Sequence, residues 1–132
     1  MFSKEYLAGI VDGEGCLRFG QIRGTLHPAI YISNTNLEFL EKIKKQYGGS
    51  IFSNKVNQKR HPTWKIGYQW RVTSKLAINF LQDIGKFLFI KRKQKFLLFA
   101  WDQLKPGRGK QFNEAQKHLL LQKMAEYNKK GQ

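Results

Sequence analysis

Two carboxylates one residue apart, Asp12 and Glu14, close the first apolar segment of the chain, LAGIVDGEG, with Gly9, Gly13 and Gly15 around them. Carboxylates working with water and phosphate oxygens form the ligand set that Mg²⁺ prefers. An ion held at a phosphodiester activates water and stabilises the leaving oxygen. The 132-residue chain carries 24 Lys and Arg against 9 Asp and Glu, a formal charge of +15 at pH 7. Acids on so basic a protein point to hydrolysis of a polyanion's phosphodiester bonds. The alternative is two solvated turn residues beside glycines.

The acids need an element to hold them. Ser3 is placed to cap a helix with Glu5 in its first turn, running to about Val11 or Asp12 and stopping at Gly13. A helix C-terminus carries partial negative charge, so a carboxylate there is unfavourable by about 0.3–1 kcal/mol. Something positive is expected to offset Asp12 and Glu14. Gly9 and Gly13 are four apart with Ala8 adjacent, a spacing that lets another helix approach closely. Two copies of the helix packed this way would bring their acids together near a two-fold axis.

Downstream, CLRFGQIR and HPAIYIS read as strands joined by a hairpin-length link. TNLEFLEKIKKQYGG reads as a helix with a Thr35–Glu38 capping box and a Gly48-Gly49 stop. SIFSNKVN and WKIGYQWRVTS are two further strands around the basic loop QKRHPT. Ser74 opens a helix to Ile84, another covers 88–104, KPGRGK is a loop, and EAQKHLLLQKMAEYNKK is a last helix. The order predicts an α+β fold, αββαββα with C-terminal helices. No repeat or linker divides it, so residues 1–132 are expected to form one domain, with a core at about 3–104 and a helical extension over 105–132.

With 41% hydrophobic and 14% aromatic residues the chain can bury a core without disulfides, and its single cysteine, Cys16, could form none internally. The charge favours nucleic acid as partner. A membrane surface, or a basic composition drawn from an AT-rich genome, are the other readings. No stretch approaches the roughly 18 apolar residues of a spanning helix, and MFSKEY lacks a signal-peptide layout. An intracellular protein is expected, whether of an organelle, a phage or a bacterial cytoplasm.

LAGIVDGEG resembles the LAGLIDADG motif of homing endonucleases: Leu7, Ala8, Gly9, the apolar pair Ile10-Val11, Asp12, a small residue, the acid Glu14 and Gly15. The strand–helix order is similar to that family's core over roughly residues 3–104. The resemblance implies an antiparallel sheet forming a DNA-binding saddle. It also implies a motif-helix interface, here Leu7, Ala8, Gly9, Asp12 and Gly13, and Mg²⁺ or Mn²⁺ held by Glu14. With one motif the chain resembles the homodimeric type, which makes double-strand cuts in long pseudo-palindromic sites and is often intron-encoded. A lysine near the active site would fall at Lys91, or at Lys93 after a slip. The open sheet face would present Arg18, Gln21 and Arg23, then Tyr31, Lys55 and Asn57, then Lys65, Gln69 and Arg71, with Lys59 and Arg60 on phosphates. Gly20 could mark a bulge that shifts the alternation, and Trp70 and Val72 should face the helices. One position departs from the pattern: Ala29 stands where several members carry a polar residue near the water network. That keeps open an RNA-splicing maturase, with intron RNA as partner, or a non-cleaving regulator.

Other constellations are weak. His27, His61 and His118 lack zinc-ligand spacing, Cys16 reads as a small buried hydrophobe, Trp64, Trp70 and Trp101 read as core, and KPGRGK lacks the phosphate-loop order.

Overall fold

The computed structural model describes residues 1–53, 66–107 and 110–129. Helix α1 (Lys4–Glu14) starts where Ser3 Oγ accepts from Tyr6 N at 3.1 Å. It runs past Gly13 and ends as Gly15 N–H bonds Val11 O, with Gly15 extended and leading straight into β1 (Gly15–Ile22). The acids therefore lie in the last turn, joined directly to a strand.

β1 pairs with β2 (Thr25–Asn34) through a two-residue turn, Arg23 and Gly24, both at positive φ, as tight hairpins require. α2 (Leu37–Tyr47) follows. Its cap is Asn36, whose Oδ1 accepts from Phe39 N at 3.1 Å, and not the expected Thr35. Asn36 is itself preset, because its N–H donates to Asn34 Oδ1 at 2.8 Å. The helix ends at Gly48 and Gly49, both at positive φ. A Cβ on Gly49 would lie 2.5 Å from Arg71 O, so this turn needs glycine twice over.

β3 (Ser50–Ser53) and β4 (Tyr68–Thr73) complete an antiparallel sheet in the order β1-β2-β4-β3. The expected strand positions Lys55, Asn57 and Lys65, and the loop residues Lys59 and Arg60, lie outside the described residues. α3 (Ser74–Ile84) leads through a 3₁₀ turn, Gly85–Phe87, to a bend at residues 88–91. α4 (Arg92–Leu104) and α5 (Glu114–Lys129) follow. The fold is α+β, as the sequence order predicts.

All helices contribute to one core. Leu17, Phe19, Ile30, Ile32, Trp70 and Val72 point from one sheet face into it. Leu7, Ala8 and Val11 of α1, Leu40 and Ile43 of α2, and Ile78, Phe80, Leu81 and Ile84 of α3 meet them. Fully burying a Leu or Val side chain contributes about 1.5–3 kcal/mol, so Leu7 and Val11 hold α1 to the core. Behind this layer Tyr47 donates its hydroxyl to Asp83 Oδ2 at 3.1 Å. Burial first, then the Asp83 bond and charge, push the phenol above its usual pKa. Among the described residues no helix is long and apolar enough to cross a membrane.

Candidate carboxylate site and nucleic-acid interface

The last turn of α1 has no basic residue of its own. Its positive partner comes from the bend before α4. Lys91, only 7% exposed, donates its ammonium to Asp12 O at 2.8 Å. The Asp12 carboxylate in turn accepts from Phe89 N at 2.8 Å and from Lys91 N at 3.0 Å. These three bonds tie the end of α1 to a bend almost eighty residues later, and they offset the helix-end charge without a metal. Asp12 is thereby committed to structure.

Glu14 is different. It is exposed, and the contact recorded for its carboxylate is Asn34 Nδ2, at 3.5 Å. It is a hard oxygen donor held on a rigid helix end, which suits a Mg²⁺-type ion. Among the described residues no three His, Cys, Asp or Glu side chains gather. Glu14 would thus supply one ligand, and water, phosphate or a second chain the remainder. Of the two candidate lysines, Lys91 is brought to this helix end. It retains donors beyond the one it gives Asp12, since an ammonium has three. Lys93 is exposed instead, its ammonium 5.5 Å from the Tyr127 ring on α5.

The expected α1 interface needs correction. Leu7 and Ala8 are wholly buried in the chain's own core and face no partner. The other side of the helix is open among the described residues: a Cβ on Gly9 or Gly13 would meet nothing within 4 Å. Asp12 lies between, half-buried. Alongside are exposed apolar residues, Tyr6 on α1 and Phe89 and Ile90 on the bend that Asp12 pins. Phe89 and Ile90 belong to the apolar stretch 87–90, of which only Leu88 is buried.

The sheet face away from the helices carries a connected polar and aromatic surface. The β1–β2 register is unbroken across Gly20, so there is no bulge. Gly20 is small for another reason: a Cβ there would lie 2.6 Å from His27 Nε2, whose ring lies over it. Without a bulge, Gln21 shares the parity of Leu17 and Phe19 and falls on the face opposite Arg18, which corrects its expected placement. Arg23 sits at the hairpin tip and not along the strand face.

Across the middle of the open face, Cys16, Tyr31, Arg71 and Ser50 form one row. Ser33, Gln69 and Phe52 form the next. The Arg71 guanidinium lies 5.2 Å from the Tyr31 ring centre and 4.3 Å from that of Phe52. Arg18 lies 5.7 Å from Tyr31 on the other side. Gln69 Nε2 donates to Ser33 Oγ at 3.3 Å, and Arg71 Nε donates to Gln69 Oε1. Ala29, paired with Arg18 and Thr73, is fully buried on this same face. At the sheet's outer edge α5 covers β1: Asn128 Nδ2 donates to Leu17 O at 3.1 Å and Lys117 Nζ to Gly24 O at 2.7 Å. Nothing local in the sequence marks Asn128 or Lys117 for these roles, because both partners are backbone carbonyls about a hundred residues away.

Residues 1–85 match a family model described as a LAGLIDADG-like domain. No curated protein matches the chain. Several solved structures do. A crystal structure of the homing endonuclease I-CvuI in complex with its target, in the presence of Ca, is 17% identical with a TM-score of 0.72, over 94% of this chain and 80% of that one. The LAGLIDADG meganuclease I-AabMI, bound to uncleaved DNA, is 20% identical with a TM-score of 0.68, over 94% of this chain and 44% of that one. The archaeal intron-encoded homing endonuclease I-Vdi141I, complexed with DNA, is 18% identical with a TM-score of 0.53, over 95% of this chain and 96% of that one. At such identities the likeness is one of fold.

Proposed function

The chain belongs to the LAGLIDADG-like domain family, and on that premise we propose that it is a site-specific DNA endonuclease of the homing type. In this reading it works as a homodimer and makes double-strand cuts with a divalent metal, Mg²⁺ first among the candidates. The observation that carries the reading is Glu14, a solvent-facing carboxylate on a pinned helix end, directly beside the open Gly9–Gly13 strip. Two chains packed on that strip place two Glu14 carboxylates near the two-fold axis, one for each strand. A two-fold dimer presents the same sheet to both half-sites, so the target is pseudo-palindromic. Homing endonucleases of this fold are crystallised on DNA, one in the presence of Mg with its DNA not cleaved, which agrees with a DNA substrate. An intron-encoded origin belongs to the same proposal.

Each residue then has a task. Glu14 would hold the ion, whose chemistry when bound would be to activate a water and to stabilise the leaving oxygen. Asp12 fixes the bend that carries Lys91, and Lys91 places positive charge beside the helix end where phosphate charge accumulates. Arg18 and Arg71 on the open face meet the duplex, which antiparallel strands can enter through the major groove. α4 and α5 act in the same unit, since α4 follows directly from Lys91 and α5 covers β1.

One observation favours a second reading. The fully buried Ala29 puts no polar group on the open face where a water-holding side chain would stand. A binding protein or maturase that keeps α1 only for pairing would tolerate this. The test is a randomised, near-palindromic duplex library incubated with the chain and Mg²⁺ or EDTA. Recurrent cut ends that require Mg²⁺ support the endonuclease. Enrichment of bound sequences with no cutting selects the binding protein.

A further inference from the structure

We infer that Arg71 reads a guanine in each half-site, and that Tyr31, Phe52 and Gln69 hold it in the reading geometry. The inference rests on the proposed DNA-binding role of the open sheet face and names what one residue there recognises.

Arg71 projects from the centre of that face and is exposed. Its guanidinium sits between two rings, at 5.2 Å from Tyr31 and 4.3 Å from Phe52. Nε is occupied by Gln69 Oε1, and among the described residues the two terminal nitrogens of the fork have no hydrogen-bond partner. Among the described residues no carboxylate pairs with it; the ion pairs there involve only lysines. A long side chain is ordinarily ordered on binding at an entropic cost. Here the rings and the amide order it beforehand. In the major groove, guanine alone offers two adjacent acceptors, O6 and N7, and the arginine fork matches them.

Gln69 has the types of atoms that would read adenine, with an amide donor and acceptor. Both are used within the protein: Nε2 goes to Ser33 Oγ and Oε1 takes Arg71 Nε. Gln69 is therefore a positioning residue, acting through Arg71. Tyr31 is braced from the far side by Arg18, 5.7 Å from its ring, so the clamp extends over all four strands of the sheet. A duplex phosphate is the competing occupant, because it too accepts a bidentate fork. The two differ in consequence. A lost base contact changes preference at one position, whereas a lost phosphate contact weakens all sequences alike.

The experiment is selection of bound duplexes from a randomised library by the full chain and by Arg71→Lys, Arg71→Ala, Gln69→Ala, Tyr31→Phe and Tyr31→Ala. The wild type should show a guanine at one symmetric pair of positions. Arg71→Lys keeps charge but not the fork. It should lower the guanine preference there by about 5- to 100-fold, with other positions unchanged. Tyr31→Phe should keep the preference, while Tyr31→Ala and Gln69→Ala reduce it at that position only. If Arg71→Ala weakens every sequence equally, the fork holds phosphate and the inference is overturned. An unchanged logo in both Arg71 variants overturns it as well. No sequence preference in the wild type would instead sink the proposed function, and the inference with it.

Discussion

At the scale of single residues, Asp12 and Glu14 look alike in the sequence and part company in the structure. The need for a positive partner at the helix end was legible from charge and helix polarity alone. That the partner would be Lys91, with two backbone N–H groups for the carboxylate, was not, because it depends on a bend reaching α1 from almost eighty residues away. Asp12→Ala leaves those donors unsatisfied and should lower stability by about 1–3 kcal/mol, measured as a shift in the urea midpoint. Glu14→Gln, at an exposed position without an ion pair recorded among the described residues, should leave that midpoint unchanged. Equal destabilisation by both would remove the distinction between a structural and a functional acid. The misplacement of Leu7 and Ala8 has a plain cause. Leu7, Ala8 and Val11 form the i, i+1, i+4 stripe of a core-facing helix, while Gly9 and Gly13 lie on the other side.

Elements were easier to read than their joints. Periodicity and glycine stops located four strands and the helices in their right order, yet the details that need neighbours slipped. Gly20 looked like a bulge and is a space for His27. That one difference moves Gln21 to the opposite face, since strand side chains alternate. Thr35 and Glu38 fitted the capping-box pattern, but the hydrogen bond from Asn36 N to Asn34 Oδ1 shifts the helix start by one residue. Asn36→Ala should therefore cost about 1 kcal/mol of stability, and Thr35→Ala almost nothing, in thermal or chemical unfolding. The reverse order would restore the threonine cap. Covering β1 with α5 was not legible at all, although the arrangement answers a general problem: an open strand edge invites pairing with another chain.

For the whole molecule, the proposed assembly is a basic subunit, of charge +15, whose open Gly9–Gly13 strip is completed by its own copy. Gly9→Leu tests that assembly cleanly. A Cβ at Gly9 has nothing within 4 Å and the position is exposed, so the fold should tolerate a side chain there and even gain helix propensity. That side chain stands where the partner helix would approach in the proposed dimer, so sedimentation should report a dimer for the wild type and a monomer for the variant. A Gly9→Leu protein that still dimerises would place the subunit contact elsewhere. The catalytic role proposed for Glu14 is tested by single-turnover cleavage of a library-selected site, with DNA affinity measured in parallel. Glu14→Gln should bind the site within a few-fold of wild type but cut it at least about 100-fold more slowly. Cleavage by Glu14→Gln at the wild-type rate would take the metal-holding role from Glu14.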